Sequence, residues 1–256
     1  MNFEAKFSAY LIPYYYKTTN TFPVIFSLGD AAATIELGNR VDERLNRKVM
    51  AMTAWITQHA FDGLKDCIPA YSSLTVHYDP FLIKTTYHPA STVFEWVKQQ
   101  LEAAFDQSSE NLYVQPLLHR VPVCYEDDYA PDLASLALTC KLTTKEIIEL
   151  HTAVIYRVYM IGFLPGFAYL GTVDERIAAP RKPQPVPVIA GSVGIAGKQT
   201  GIYPLNSPGG WNIIGRIPLK MFDPAAAKPV WMQPGDEIAF FPITAREFRQ
   251  QQIVLA

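Results

Sequence analysis

The spacing of hydrophobic residues changes along the chain, and its first part mixes helical and strand-like patterns. After Asp42, which can cap a helix, apolar residues recur on one helical face. Thr92 and Glu95 form a capping box ahead of a second amphipathic helix. The stretch 68–78, IPAYSSLTVHY, alternates and predicts one strand, while VIFSL and AAATIEL flank a Gly29–Asp30 hairpin turn. The first part therefore predicts two helices packed on an antiparallel sheet.

A middle segment combines two strands with two short helices. HRVPVCYE at 119–126 and YRVYMIGF at 156–163 are each predicted to be strands. Between them, Pro131–Thr139 predicts a short helix, and the capping box Thr143–Glu146 opens another that reaches about His151. These elements lead into a region with a different pattern.

The last part of the chain lacks helical spacing from Gly162 until Thr244. Short apolar runs (VPVIA, GIYPL, WNIIG and EIAFF) lie between glycine and proline turns, which is typical of a small β-barrel or compact sandwich. Ten of the fourteen glycines lie between Gly162 and Gly215, so the composition changes near the middle of the chain. We therefore predict an α+β N-terminal domain over residues 1–110 and an all-β barrel domain over residues 111–256.

Composition and charge exclude several classes of protein. The chain has 256 residues, 49% hydrophobic and 18% charged, as in a globular protein with a core. A net charge of −2 argues against nucleic-acid binding by bulk electrostatics. The start lacks a signal-peptide pattern, and Arg157 interrupts the most apolar window, so we expect no membrane span. Three cysteines without metal-ligand spacing predict reduced thiols in a cytoplasmic protein that binds no metal.

The region between Glu175 and Asp223 has no carboxylate in 47 residues but carries six positive charges. Glycines let backbone N–H groups approach a ligand closely, and arginine offers a planar fork for carboxylate or phosphate. These features predict a pocket for a small anion. They equally fit a basic face for an acidic partner, with glycines at barrel corners, so both interpretations stay open. The six cations are Arg176, Arg181, Lys182, Lys198, Arg216 and Lys220.

Other motifs of the chain give weaker indications of a catalytic or ligand-binding role. SVGIAGKQ, from residue 192, nearly matches a phosphate-binding loop, but the TGIYP that follows cannot form the required helix, so we reject an ATP site there. Ser192, Thr200 and Ser207 lack the setting of an activated serine, which favours turn and ligand hydrogen bonding. His151 ends a helix, where contact with helix carbonyls is a simpler interpretation than general-base chemistry. The aromatic residues of GFLPGFAYLG fit either core packing or an interface.

Together these stretches resemble one known family over roughly residues 22–250, most specifically from 156 to 224. It is the family of the B subunit of bacterial 5-oxoprolinase, also known as allophanate hydrolase subunit 1 and as the sporulation-kinase inhibitor. The matching stretches are LGDAAATIELGN at 28–39, IPAYSSLTVHYDP at 68–80, VPVCYEDDYAPDL at 121–133, LTTKEIIELHTAVIYRVYMIGFLPGFAYLG at 142–171, APRKPQPVPVIAGSVGIAGKQTGIYPLNSPGGWNIIGR at 179–216 and PGDEIAF at 234–240.

The resemblance implies a fold, an activity and partners. It implies a cyclophilin-like β-barrel after the α+β domain. It also implies a component of an ATP-dependent hydrolase that opens 5-oxo-L-proline to L-glutamate together with the C and A subunits of 5-oxoprolinase. This component is expected to be inactive alone, with ATP bound by, or shared with, those partners. The sequence departs from the family at Lys182, Gln184 and Val186, where arginine is commoner, and at Ile217, where threonine is usual.

5-Oxoproline is a small lactam with one carboxylate, which matches the predicted anion pocket. We expect Arg181 and Arg216 to converge on this anion, with Arg216 taking part in catalysis. Of the remaining candidates, His151 is expected to carry a proton, Trp211 to form a wall, and Ser192, Gln199, Thr200 and Ser207 to hydrogen-bond the substrate.

Two other functions stay open at this point. The same chain could be a non-catalytic inhibitor of a sensor histidine kinase, or the equivalent component of a hydrolase for allophanate or another urea-derived amide. Genes for the A and C subunits beside this one would favour the 5-oxoprolinase, whereas a neighbouring sensor kinase gene would favour the inhibitor.

Overall fold

The N-terminal part of the computed structural model, which describes residues 22–109 and 116–255, is an antiparallel sheet with helices. Its elements are β1 Val24–Ser27, β2 Ala32–Glu36, α1 Glu43–Gln58, β3 Leu64–Pro69, β4 Ser73–Tyr78, α2 Pro80–Tyr87 and α3 Val93–Gln107. The strands lie in the order β1-β2-β4-β3. The fully buried side chains of Val49 and Met52 on α1 and of Leu101 on α3 pack in one cluster with Ile35 and Leu74 of the sheet.

Capping residues start the two long helices at the predicted places. The Asp42 carboxylate accepts hydrogen bonds from the backbone N–H groups of Arg44 and Leu45, and the Thr92 hydroxyl accepts one from Glu95. These bonds satisfy N–H groups that have no partner within the helix.

The predicted single strand over 68–78 is two strands joined by a tight turn. β3 ends at Pro69 and β4 begins at Ser73, and the Ala70 N–H donates to the Ser73 carbonyl at 2.8 Å. Alternation continues on both sides of this turn, so periodicity alone does not reveal it, although serine is a turn-forming residue. Helix α2 is also absent from the predicted elements, although Asp79 caps it and proline occupies its first turn.

The second part of the chain is a closed seven-stranded β-barrel with helices packed on it. Its elements are β5 Leu118–Cys124, α4 Leu133–Cys140, α5 Thr144–Thr152, β6 Ile155–Ile161, β7 Ala168–Thr172, β8 Val186–Val188, β9 Ser192–Ala196, β10 Gln199–Ile202, β11 Ser207–Gly209, β12 Asn212–Arg216, β13 Glu237–Ile243 and α6 Ala245–Leu255. The barrel order is β10-β7-β6-β13-β5-β12-β9, while β8 and β11 form a separate two-stranded ribbon. Only the β13–β5 pair among the described barrel strands is parallel.

The two parts have separate hydrophobic clusters but are joined by buried polar contacts. One cluster draws its buried residues from positions 33–104, and the largest barrel cluster from 121–240. Between them, the buried Asn46 amide on α1 donates to the carbonyls of Ala70 at 3.0 Å and Tyr159 at 3.2 Å. Its oxygen accepts a hydrogen bond from Arg157 Nε at 2.9 Å. The predicted boundary at 110/111 lies outside the described residues.

Within the two described ranges, no helix combines the length and apolar character needed to cross a bilayer.

Candidate functional site

A cavity of about 580 Å³ lies beside the barrel, next to strands β7 and β10 and the β8–β11 ribbon. Its polar side chains include Arg181 and Gln199, and glycine and proline backbone forms much of the remaining wall. This volume is typical of a site for a small molecule. The aromatic residues that line it are Phe163, Phe167, Tyr169, Tyr203 and Trp211.

Strand alternation sorts side chains between the barrel core and this cavity. On β7, Leu170 packs in the barrel core whereas its neighbour Tyr169 lines the cavity. On β10, Thr200 is fully buried whereas Gln199 lines the cavity. Successive side chains of a strand point to opposite faces, so Tyr169 and Gln199 face the cavity while Leu170 and Thr200 do not.

Two glycines make room for the aromatic wall. A Cβ at Gly201 would lie 2.9 Å from Cζ3 of Trp211, and one at Gly209 would lie 2.5 Å from the Tyr203 hydroxyl oxygen. Neither spacing is compatible with a side chain, so glycine allows the indole and phenol rings to lie directly against the backbone. This requirement accounts for part of the glycine density in the sequence.

The aromatic rings form one packed group around Phe167. Its centroid lies 4.6 Å from Tyr169, 5.0 Å from Tyr203 and 5.5 Å from Trp211. Phe167 is almost fully buried, whereas Phe163 at the cavity is 65% exposed. Burial raises the pKa of the Tyr169 and Tyr203 phenols. The Arg181 guanidinium partly offsets this effect at Tyr169, and the Trp211 backbone and then Arg181 do so at Tyr203. Both hydroxyls are therefore neutral at physiological pH and act as hydrogen-bonding groups.

Arg181 is the cation of this cavity. Its Nε and Nη2 atoms lie 3.6 Å from the position of a Cβ on Gly210, so the guanidinium lies along the glycine backbone. Within residues 22–109 and 116–255, no carboxylate forms an ion pair with Arg181, and no residue hydrogen-bonds its side chain. A guanidinium without an internal partner beside an aromatic cavity is suited to bind an anion.

Four of the other cations of the acid-free stretch are neutralised. Their partners are outside the stretch or at its ends, which the sequence pattern does not reveal. The pairs are Arg176–Asp174 at 2.7 Å, Lys182–Asp132 at 2.6 Å, Lys220–Asp223 at 3.0 Å and Lys198–Glu175. Most of the apparent positive charge is therefore not available to a ligand.

Arg216 does not reach the cavity, so the expected convergence of two guanidinium groups is wrong. Its Nε donates to the Ala190 carbonyl at 2.9 Å, and its Cζ lies 5.7 Å from the centroid of the Phe248 ring on α6. Burial lowers the pKa of Arg216. The physical reason is position along the chain: Trp211 directly precedes β12 and lines the cavity, whereas Arg216 is the last residue of the strand and does not line it.

The three predicted hydroxyl ligands do not line the cavity either. Ser192 is buried on β9 and pairs with Arg216 of β12 in the barrel. Thr200 donates to the Gly194 carbonyl at 3.0 Å. Ser207 precedes Pro208 and Gly209, which do line the cavity, and its hydroxyl oxygen is buried without a hydrogen-bond partner among the described residues. Arg181, Gln199 and Trp211 are the predicted site residues that the structure brings together.

His151 belongs to a buried network inside the barrel. The Tyr125 hydroxyl lies 2.8 Å from Nδ1, Nε2 lies 3.0 Å from the Thr200 hydroxyl, and Phe240 stacks on the ring at 4.8 Å. Because Thr200 donates to Gly194, its oxygen accepts from Nε2–H, and Tyr125 then donates to Nδ1. Burial lowers the pKa of His151 to about 3. The imidazole is therefore neutral, and it does not line the cavity.

This low pKa predicts a pH dependence of stability. The unfolded chain protonates the imidazole below its ordinary pKa of about 6.5, whereas the folded protein does so only near 3. The contribution of the neutral His151 to the free energy of unfolding is thus fully present above pH 6.5 and is lost as the pH falls toward 3. The loss is about 2 kcal/mol between pH 7 and 5. Urea unfolding at pH 7 and pH 5 measures this loss. In His151→Gln, the free energy of unfolding should no longer show the part of the pH dependence that comes from the imidazole. An imidazole that titrates above pH 5 in the folded protein, seen by NMR, contradicts the prediction.

The sequence reasoning missed two residues of this region. Tyr203 lines the cavity, and its place in GIYPL gives no signal beyond hydrophobicity. Tyr71, on the turn between β3 and β4, lies with its hydroxyl 3.0 Å from Gln199 Nε2. These two residues are 128 positions apart, so no local pattern could have joined them.

A second cavity, of about 640 Å³, lies near the start of β5 and the segment 219–231. Its lining includes Asp223, which pairs with Lys220, together with Arg120 and Lys228. The first cavity contains no carboxylate among its described lining residues, so it matches the expected site for a small anion better.

The first cavity is equipped for binding more than for chemistry. Arg181 can hold a carboxylate, the Gln199 amide can hydrogen-bond a carbonyl or N–H, and the aromatic rings can cover a small apolar ring. Its titratable lining residues in the described part of the chain are two neutral phenols and a guanidinium. None of these is a ready general base, so proton transfer requires a group from elsewhere.

Comparison with known proteins gives a consistent result. The family described as "Carboxyltransferase domain, subdomain C and D" matches residues 23–232. The chain is 42% identical to the B subunit of 5-oxoprolinase from Bacillus subtilis over 88% of its own length and 94% of that relative's. It superposes on the crystal structure of TTHA0988 with a TM-score of 0.71 and 31% identity, covering 87% of this chain but only 41% of that one. More distantly, it is 23% identical to urea amidolyase of Saccharomyces cerevisiae, spanning 13% of that protein.

Proposed function

The chain belongs to the carboxyltransferase-domain family, and within it to the 5-oxoprolinase B-subunit family, and from this premise we propose that it is the B subunit of an ATP-dependent 5-oxoprolinase. With the A and C subunits, it opens 5-oxo-L-proline to L-glutamate by hydrolysis of the ring amide, driven by ATP. The complex is cytoplasmic, in keeping with three cysteines that form no disulfide with one another.

The single observation that supports a role in substrate binding is Arg181, which lies in an aromatic cavity without a partner among the described residues. The substrate carboxylate accepts hydrogen bonds from this guanidinium, and Trp211 and Tyr203 cover the five-membered ring. The Gln199 amide bonds the lactam group. The cavity has no carboxylate among its described lining residues, so nothing in that lining repels the substrate's single negative charge.

The division of the chain into domains follows from the same premise. We assign residues 1–110 to an α+β domain and residues 111–256 to a cyclophilin-like barrel, which is supported by their separate hydrophobic clusters. Because the described cavity lining offers no group for proton transfer, the reaction needs the partner subunits. ATP is bound by, or shared with, those partners.

Reconstitution tests this function. We expect this chain, co-purified with the A and C subunits, to support ATP-dependent release of glutamate from 5-oxo-L-proline, and the purified chain alone to show no turnover. The same complex should be assayed on allophanate, because a relative is a urea amidolyase. Faster turnover of allophanate would assign the chain to a urea-amide hydrolase instead. Turnover by the single chain would contradict the division of labour.

A further inference from the structure

Tyr71 reaches from the N-terminal part of the protein to the wall of the cavity. It lies on the turn between β3 and β4, and its hydroxyl accepts from Gln199 Nε2 at 3.0 Å and lies 3.3 Å from Oε1. Its ring packs against Tyr159 at 5.7 Å and, edge to face, against Tyr169 at 6.0 Å. Two residues that line the cavity, Gln199 and Tyr169, are therefore contacted by one side chain that is not itself part of the lining.

Gln199 needs such a contact. It starts β10 at a register shift between β10 and β7, beside the turn at Gly197, and its side chain is only half buried. A glutamine there has several rotamers, and ordering one costs free energy when a ligand binds. The Tyr71 hydroxyl touches both polar atoms of the amide and so fixes its orientation before the ligand arrives.

The turn that carries Tyr71 is itself held on both sides. The Ala70 carbonyl accepts from the buried Asn46 amide at 3.0 Å, and the Ser72 hydroxyl donates to the Gly38 carbonyl at 2.6 Å. The Ser72 carbonyl in turn accepts from the Leu37 N–H at 2.8 Å. Because both neighbours of Tyr71 are anchored, its hydroxyl is a fixed point rather than a mobile one.

We propose that Tyr71 is a positioning residue for the cavity, and that through it the N-terminal part of the chain tunes the affinity for the ligand. Tyr71 holds the Gln199 amide in the orientation that bonds the ligand and supports the Tyr169 ring. The identity of the ligand rests on the proposed function; the coupling between Tyr71 and Gln199 does not.

A double-mutant cycle tests this role, with 5-oxo-L-proline as the calorimetric probe of the full-length chain. Tyr71→Phe keeps the ring and removes the hydroxyl, and we expect about fivefold weaker binding, as for the loss of one hydrogen bond. In the Gln199→Ala background the same substitution should change Kd by less than about 1.5-fold, because Tyr71 acts through the amide. An equal effect in both backgrounds, or no effect in the unmodified protein, overturns the proposal.

Tyr87→Phe is the matched control. The Tyr87 hydroxyl accepts from the Asp62 N–H at 2.8 Å in the same part of the chain, and neither residue lines the cavity. Its removal should leave Kd unchanged even if it lowers the melting temperature. If Tyr71→Phe lowers the melting temperature and leaves Kd unchanged, the role of Tyr71 is purely structural and the proposal is wrong.

NMR of the Gln199 side-chain amide keeps the inference testable without a ligand. We expect slow hydrogen exchange of this NH₂ group, assigned by its loss in Gln199→Ala, and faster exchange in Tyr71→Phe. If 5-oxo-L-proline does not bind and the complex releases no glutamate, the proposed function fails while this measurement still decides the coupling. Exchange that is equally fast in both proteins overturns the role of Tyr71.

Discussion

Arg181→Ala should lower kcat/KM of the assembled complex for 5-oxo-L-proline by about 30- to 150-fold, because hydrogen bonds to a charged group contribute about 2–3 kcal/mol. The substrate carries one carboxylate, and Arg181 is the cation among the described lining residues of the cavity. Removing it leaves the carboxylate among aromatic rings and glycine backbone. We expect most of the loss in KM, since the carboxylate keeps its charge throughout the reaction and its contact with Arg181 therefore stabilises the ground state and the transition state alike.

A matched pair of variants separates this effect from general charge. Arg176→Ala removes an exposed cation from the same acid-free stretch, but one that pairs with Asp174 away from the cavity. It should change kcat/KM by less than about twofold, because exposed ion pairs contribute little. Arg181→Lys should restore part of the activity, since a point charge replaces the planar fork. Similar losses in Arg176→Ala and Arg181→Ala would mean that the net charge of the region, and not a specific contact with Arg181 in the cavity, attracts 5-oxo-L-proline.

The charge pattern of the sequence overstates the positive charge that is available to a ligand in this region. A stretch without carboxylates predicts six available cations, yet Lys182 pairs with Asp132, 50 residues away. Lys198 pairs with Glu175 at the end of the stretch. Pairing across such distances depends on the fold and leaves no trace in local composition. Of the six cations, Arg181 is the one that lines the first cavity, where glycines and aromatic residues are among its described neighbours.

Local rules predict the elements well and their long-range contacts poorly. Asp42, Thr92 and Thr143 mark helix starts because capping involves residues only two or three positions apart. The turn at Ala70–Ser73 escapes prediction because alternation has the same period on both sides of it. Without the turn, the contact from Tyr71 to Gln199 cannot be predicted either.

The same limit explains the error at Arg216. Both arginines lie in one glycine-rich stretch of the sequence, and their chemistry suits one anion. In the barrel, Trp211 lies at the cavity just before β12 begins, and the strand ends with Arg216 beside Phe248 of α6. A residue type suited to a ligand is not enough when the strand direction takes it elsewhere.

Asn46→Ala should lower the free energy of unfolding by about 3 kcal/mol, because it removes three hydrogen bonds made to buried or partly buried polar groups. The fully buried Asn46 amide makes three hydrogen bonds, to the Ala70 and Tyr159 carbonyls and from Arg157 Nε. Alanine satisfies none of them. Because these bonds join the two parts of the chain, we also expect urea unfolding to become less cooperative, with the two parts losing structure at different urea concentrations.

Asn206→Ala is the comparison for this prediction. Asn206 is exposed and accepts one hydrogen bond, from the Ala190 N–H at 2.7 Å, so its loss should cost less than about 1 kcal/mol. Asn46→Asp keeps an acceptor for Arg157 but places an oxygen against the Ala70 and Tyr159 carbonyls, so it should destabilise the protein at least as much as alanine does. A change below about 1 kcal/mol in Asn46→Ala, with cooperativity intact, would show that apolar packing and not this polar contact holds the two parts together. The Tyr71 turn would then be anchored to the rest of the N-terminal part by the bonds from Ser72 to Gly38 and from Leu37 to Ser72.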